Sequence, residues 1–436
     1  MRKFTKSENL SLIYRFLTQY PQTKKFPYLR QALIKTYQFN RIKQLLEIAY
    51  YHTSFYRRKY SAAGIHPNDI KNWEDFKCLP TVTKDELRAY NNDFVDNRKA
   101  FEKLILSRSS GSTGKFINIY FDAQAFITQE MQVIRMLKEL NLKYSPLDKE
   151  LLVYTSEYPF SSIGGFYKVN YVHNLIPAGQ ILAKILQLRP AVISIYPSIL
   201  REIIDLYNAD YHDIGIKVII TNSEHSTQSE RDHFANLFGC SVFDEFSSEE
   251  LLSIAYQCVE KQYHITQDCS YIELLSTKAD VEVKLGEQGE IVGTCLINFI
   301  TPIIRYRQGD LAIFSTTLCT CGKTTPVLQT IAGRKNSSFK RHDGTEIPSG
   351  RILDWTYSLV LSLRLGIREF QVTQMTLTDI EVKLATNDNY EAEFDNYKVI
   401  DSFKHTFGQE FEVAIKIVPC IEKTVSGKHN PIQSLV

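Results

Sequence analysis

Ser109-Ser110-Gly111-Ser112-Thr113-Gly114-Lys115-Phe116 reads SSGSTGKF. Small hydroxyl residues and two glycines run into a lysine. Gly111 and Gly114 let the backbone turn its N–H groups toward an anion, the hydroxyls add donors, and Lys115 adds charge. The stretch is not a Walker A loop. That loop needs a glycine where Ser109 stands and a hydroxyl residue where Phe116 stands. Taken alone, the eight residues fit a phosphate-binding loop or a plain polar turn, since Ser and Gly are ordinary turn residues.

The surroundings narrow the choice. Residues 1–90 read as a helical lead-in, with Leu33, Tyr37, Ile42, Leu45, Leu46 and Ala49 at roughly helical spacing. Thr83 stands three residues before Glu86, the pattern of a capping box. From about 101 to 330, short apolar runs alternate with helical segments. ELLVYT (150–155), AVISIY (191–196), KVIITN (217–222) and SVFDEF (241–246) are the expected strands, with QILAKILQL and SERDHFANLF as helices between them. That alternation predicts an α/β fold with parallel strands, whose ligands bind beyond the carboxyl ends. After about 270 the pattern is more strand-like. Beyond Arg334, REFQVTQM, DIEVKLAT, EVAIKIVP and the helix NYKVIDSFKHTF predict a small α+β domain.

The 436 residues allow two or three domains, and 44% hydrophobic with 23% charged residues describes a globular chain. A net charge of +2 gives no reason to expect nucleic acid or an anionic membrane surface as partner. No apolar run is long enough for a membrane span, and the N-terminus lacks a signal-peptide core, so the expectation is a cytoplasmic protein. The eight cysteines are scattered, apart from the pair Cys319-Thr320-Cys321, and a disulfide framework is not expected.

Four further stretches share an order with SSGSTGKF: VFDEFSSEE (242–250), TPIIRYRQGDLA (301–312), CTCGKTTPVLQTIAGRKN (319–336) and EKTVSGKHN (422–430). Together they resemble the adenylate-forming ligases, in particular the phenylacetate–coenzyme A ligase branch, over nearly the whole chain. The resemblance implies a large N-terminal domain, 1–335, of mixed and parallel sheets flanked by helices. It also implies a small mobile α+β domain, 336–436. The implied reaction joins a carboxylic acid to ATP as acyl-adenylate, with magnesium, and then passes the acyl group to the thiol of coenzyme A or of a carrier-protein phosphopantetheine. Two other readings stay open: transfer of AMP to a hydroxyl acceptor, and a non-catalytic nucleotide-binding member.

Carried over by residue, the resemblance implies that Ser109, Ser110, Gly111, Ser112, Thr113, Gly114 and Lys115 hold the β- and γ-phosphates, with Phe116 replacing the usual proline. Phe246 would stack on adenine in the run Phe246-Ser247-Ser248-Glu249-Glu250, and Glu250 would ligate magnesium. Ser247 replaces a glycine there, and Glu249 replaces a hydroxyl residue near the α-phosphate. Ser223 and Glu224 follow a strand where the family grips adenine, a place that also suits an ordinary loop. Asp310 would accept the ribose hydroxyls. Arg334 would reach ribose or phosphate, and Asn336 would be the hinge. Lys428 would be the catalytic lysine.

Cys258 and His264 with Cys319 and Cys321 make a candidate zinc site, three thiolates and an imidazole. Buried unliganded thiols are the other reading. In SEYPFSSIGGFYKVNYV (156–172), Tyr158, Phe160, Gly164 and Phe166 are candidates for an acyl pocket favouring an aryl acid. The same aromatics would also suit a core.

Overall fold

The structure, a computed structural model, describes residues 2–109, 117–140, 144–206, 210–334, 337–363, 367–386, 396–424 and 428–436. An eleven-stranded sheet organises the larger part. From one edge, five strands run parallel: Lys168–His173, Lys149–Tyr154, Val192–Ile195, Val218–Asn222 and Ser241–Ser248. The sheet then continues antiparallel through Leu252–Gln257, Tyr263–Ile265, Val327–Arg334, Tyr306–Phe314, Gln288–Cys295 and Ser270–Leu275. The α/β expectation holds, and each of the four expected parallel strands is present.

The central parallel strands are apolar without interruption because both faces are covered. Ile193, Ile195, Ile219 and Val242 pack into a cluster that includes residues of the helices Ala178–Leu188, Pro197–Leu206 and Gln228–Phe238. Val192, Val218, Ile220 and Phe243 point the other way, into the main core with helix Ala123–Leu140 and the lead-in. The lead-in is helical as expected. Thr83 and Glu86 form the capping box that opens helix Lys84–Ala89. Of the expected positions on helix Gln31–His52, Ile42, Leu45, Leu46 and Ala49 are buried, whereas Leu33 is half exposed and Ile34 and Gln38 join the buried stripe. Gln38 is tolerated there because its Nε2 donates to the carbonyl of Gln267 at 2.9 Å.

The C-terminal part has its own four-stranded sheet, in the order Glu412–Val418, Asp379–Thr386, Ile367–Gln374, Ile432–Ser434. Its apolar cluster joins helices Ser349–Leu363 and Asn396–Phe407 to that sheet. This is the small α+β unit beside the large one.

Candidate active site

SSGSTGKF joins two antiparallel strands, Ile105–Ser109 and Ile117–Phe121, with Ser109 paired to Ile117. A P-loop joins a strand to a helix, so topology excludes that reading independently of sequence. Ser110, Gly111, Ser112, Thr113, Gly114 and Lys115 lie outside the described residues, as do the side chain of Arg334 and all of Asn336.

Phe246, Glu249, Glu250, Glu224 and Lys428 gather at the carboxyl ends of the parallel strands, where open α/β sheets bind ligands. Phe246, Ser247 and Ser248 end one strand, and Glu249 and Glu250 form the turn back into Leu252–Gln257. The acidic pair therefore sits in a hairpin turn and not at a helix start. The Leu251 N–H donates to Ser248 Oγ at 3.1 Å, which tightens that turn. Leu252 takes a positive φ of 59° as the chain leaves it.

Glu249 is the centre of the arrangement. Its two oxygens accept from the hydroxyls of Ser107 and Tyr154, each at 2.5 Å. Burial pushes its carboxyl up, opposed by those hydroxyls and then by the charge of Lys428. Lys428 Nζ lies 5.9 Å from the centre of the Tyr196 ring, which meets Tyr154 edge-on. The lysine from the far end of the chain is thus beside the strand-end turn. Glu250 is buried and accepts from the hydroxyl of Tyr306 at 3.3 Å. Asp310 is buried, accepts from Gln308 Nε2 at 2.5 Å and pairs across the strands with Arg334.

Glu224 has partners that the sequence did not suggest. Its Oε2 accepts from Ser198 N–H at 3.0 Å and its Oε1 from His429 N–H at 2.7 Å. Ser223 beside it has φ of 65°, a left-handed backbone rare for serine. Tyr154, Tyr196 and Ser107 were missed as site residues. For the tyrosines the signal was available, since they stand at the ends of ELLVYT and AVISIY, where ligands are expected.

The aromatic segment divides. Phe160 is buried against Phe4 and Tyr158. A side chain at Gly164 would meet Ile13 of the first helix at 3.4 Å. Phe166 is 51% exposed, so it contributes little enclosed surface. Tyr158 and Phe160 both border a cavity of about 320 Å³ at the sheet edge, and burial raises the Tyr158 hydroxyl well above its ordinary value, with the neighbouring glutamates adding to that rise.

A second cluster lies beside the antiparallel strands. One ligand atom from each of Cys258, His264, Cys319 and Cys321 falls within 4.8 Å of all the others. Cys258 Sγ is 3.6 Å from Cys319 Sγ, and Cys321 Sγ is 3.2 Å from His264 Nε2. Tetrahedral zinc with bonds of ~2.3 Å spaces its sulfurs roughly 3.7 Å apart. His264 Nδ1 lies 3.1 Å from Thr325 Oγ1 and 3.2 Å from its carbonyl oxygen. Donation of Nδ1–H there presents the Nε2 lone pair to the thiols, the usual support for a ligating histidine. The donor set and its spacing fit zinc.

Solved structures share this fold. A 2-hydroxyisobutyryl-coenzyme A ligase in the postadenylation state matches with a TM-score of 0.75 at 19% identity, over 90% of this chain and 88% of that one. The chain has the fold of the adenylate-forming ligases. The same ligase matches at 0.63 in an open conformation and 0.64 in its thioesterification state. An anthranilate coenzyme A ligase matches at 0.58 and 15% identity, over 76% of this chain and 65% of that one. Residues 346–434 match the CapK C-terminal domain family. The phenylacetate-coenzyme A ligase of Escherichia coli (strain K12) is 28% identical over 293 residues, 64% of this chain and 66% of the relative. That of Thermus thermophilus is 22% identical over 69% of this chain and 70% of the relative. The chain thus spans about two thirds of the length of the curated relatives it matches. The resemblance read from the five motifs stands: the solved structures carry the adenylate-forming fold and the curated relatives the phenylacetate-coenzyme A ligase name.

Proposed function

We propose that this chain is an AMP-forming acid–thiol ligase. It activates a small carboxylic acid with ATP and transfers the acyl group to a thiol. The observation that carries this is the docking of Lys428 beside the Glu249–Glu250 turn at the carboxyl ends of the parallel strands. In the first step a carboxylate oxygen attacks the α-phosphorus and pyrophosphate leaves. The Lys428 ammonium balances the charge shared by the attacking carboxylate and the α-phosphate, a service a point charge on a flexible stem performs well. In the second step a thiolate attacks the acyl carbon and AMP leaves.

Phe246 would cover adenine, Asp310 and Arg334 the ribose, and Ser109 to Lys115 the outer phosphates. Magnesium would supply charge neutralisation, with Glu250 as its buried carboxylate ligand. Zinc held by Cys258, His264, Cys319 and Cys321 would be structural. It would pin the loop that enters strand Val327–Arg334, and so the approach to Arg334 and the domain boundary at 335/336. The aromatic side chains at 158–167 favour an aryl acid. Coenzyme A is the preferred thiol because the relatives are named for it, and a carrier protein is the other acceptor. Among the described residues no helix is long and apolar enough to cross a membrane.

The test is pyrophosphate exchange across aryl, fatty and amino acids, with thioester formation measured with and without coenzyme A. Exchange with at least one acid is expected, and Lys428→Ala should abolish it. Unchanged exchange in that variant would reject the assignment of Lys428. A stable AMP conjugate without thioester would favour adenylyl transfer, and nucleotide binding without turnover a non-catalytic member.

A further inference from the structure

The small domain is held to the large one by contacts that share one helix face. Ser198, Arg201 and Glu202 stand at i, i+3 and i+4 on helix Pro197–Leu206, so they project to the same side. Ser198 fixes Glu224 through its N–H and its hydroxyl, both at 3.0 Å. The Glu224 carboxylate then accepts the His429 N–H at 2.7 Å. That N–H belongs to the peptide bond that follows Lys428. Within the small domain, the Thr424 N–H donates to the Lys428 carbonyl at 2.9 Å and the Lys428 N–H to Thr424 Oγ1 at 3.1 Å. The backbone of the lysine is therefore clamped on both sides.

Arg201 makes the second contact. Its Nε donates to Glu230 Oε1 at 2.6 Å, and its Nη2 hydrogen-bonds the Tyr357 hydroxyl on helix Ser349–Leu363 of the small domain. Lys423 pairs with Glu202 as the third.

We propose that Glu224, Arg201 and Glu202 form a latch that positions Lys428 for adenylation and must release for thiol transfer; this rests on the ligase reading above. Three further observations support it. The contacts named are polar, so releasing them bares groups that water can satisfy, as suits domains that separate. Arg201 Nη1 and His429 Nε2 are buried without hydrogen-bond partners, which penalises the docked state and keeps release accessible. The 2-hydroxyisobutyryl-coenzyme A ligase has been solved in several states. This chain matches the postadenylation arrangement at 0.75 and the thioesterification arrangement at 0.64.

The experiment uses Tyr357→Phe, Glu202→Lys, and Glu202→Lys combined with Lys423→Glu. Phenylacetate serves as probe acid, and phenylacetyl-adenylate with coenzyme A probes the second half-reaction. Tyr357→Phe and Glu202→Lys should lower pyrophosphate exchange roughly tenfold. Thioester formation from supplied adenylate should stay level or rise. The charge swap should restore exchange in part, because Lys423 also stands 4.0 Å from Glu369. In parallel, spin labels at Leu186→Cys and Tyr397→Cys report the distance between domains, both sites being exposed. The background carries Cys78→Ser and Cys420→Ser, which removes the exposed native thiols. The single variants should broaden that distance distribution and the swap should narrow it. An unchanged distribution in the single variants overturns the latch. Absence of exchange in the unaltered protein with every acid tested counts against the ligase reading alone, because the label distances still decide the latch.

Discussion

Replacing Arg305 by methionine tests whether this residue of the RYRQGD stretch is part of the frame. Arg305 and Glu273 are each 1% exposed, and the guanidinium grips the carboxylate twice, Nε to Oε2 at 3.1 Å and Nη2 to Oε1 at 3.0 Å. Its Nη1 also donates to the carbonyls of Lys77 and Leu79 in the lead-in. The Val82 N–H donates to the Arg305 carbonyl at 2.9 Å. The residue therefore ties the lead-in to the antiparallel half of the sheet. Removing one partner of a buried pair leaves an uncompensated charge and costs about 3–5 kcal/mol.

The deficit should depend on pH. Burial raises the Glu273 carboxyl above its ordinary 4.5 and Arg305 opposes that rise. Without Arg305 the folded-state value climbs further. An acid whose pKa is higher folded than unfolded binds more protons folded, so stability falls as pH rises through that window. The deficit of Arg305→Met should be full at pH 7 and smaller by about 1–2 kcal/mol at pH 5. Urea midpoints at the two pH values measure it. Adding Glu273→Leu should recover more than half, because a buried pair can be exchanged for apolar groups at little cost. An equal deficit at both pH values, with no recovery in the double variant, would refute the reasoning.

Glu249→Thr should lower the KM for ATP about tenfold at pH 8 and less at pH 6. The raised carboxyl is charged, and repels phosphate, mainly at the higher pH. The same change at both pH values would show that its charge does not act. Elemental analysis should find about one zinc per chain. Cys319→Ser should lose the metal and lower the thermal midpoint, and a metal-free preparation of undiminished activity and stability would count against the site.

The sequence by itself carried the frame of this protein. The apolar runs AVISIY and KVIITN became central strands because continuous apolar character suits a strand covered on both faces. The order of five motifs pointed to the adenylating fold before any coordinate did. Cys258, His264, Cys319 and Cys321 could be named as a candidate set because the resemblance implies that grouping. Local pattern could not say what stands across from a side chain, since that depends on contacts between residues far apart in the chain. Glu249 looked like a charge misplaced beside a phosphate. Only the tertiary structure brings it the hydroxyls of Ser107 and Tyr154, 142 and 95 positions away. Glu224 reads equally as an adenine-side residue or part of an ordinary loop, and only the fold brings it the peptide of His429, 205 positions away. Phe166 is a pocket candidate in sequence, and only packing shows that it is half exposed. Propensity and periodicity are local and survive in a linear reading; the partners of a buried polar group are set by which strand ends and helices meet.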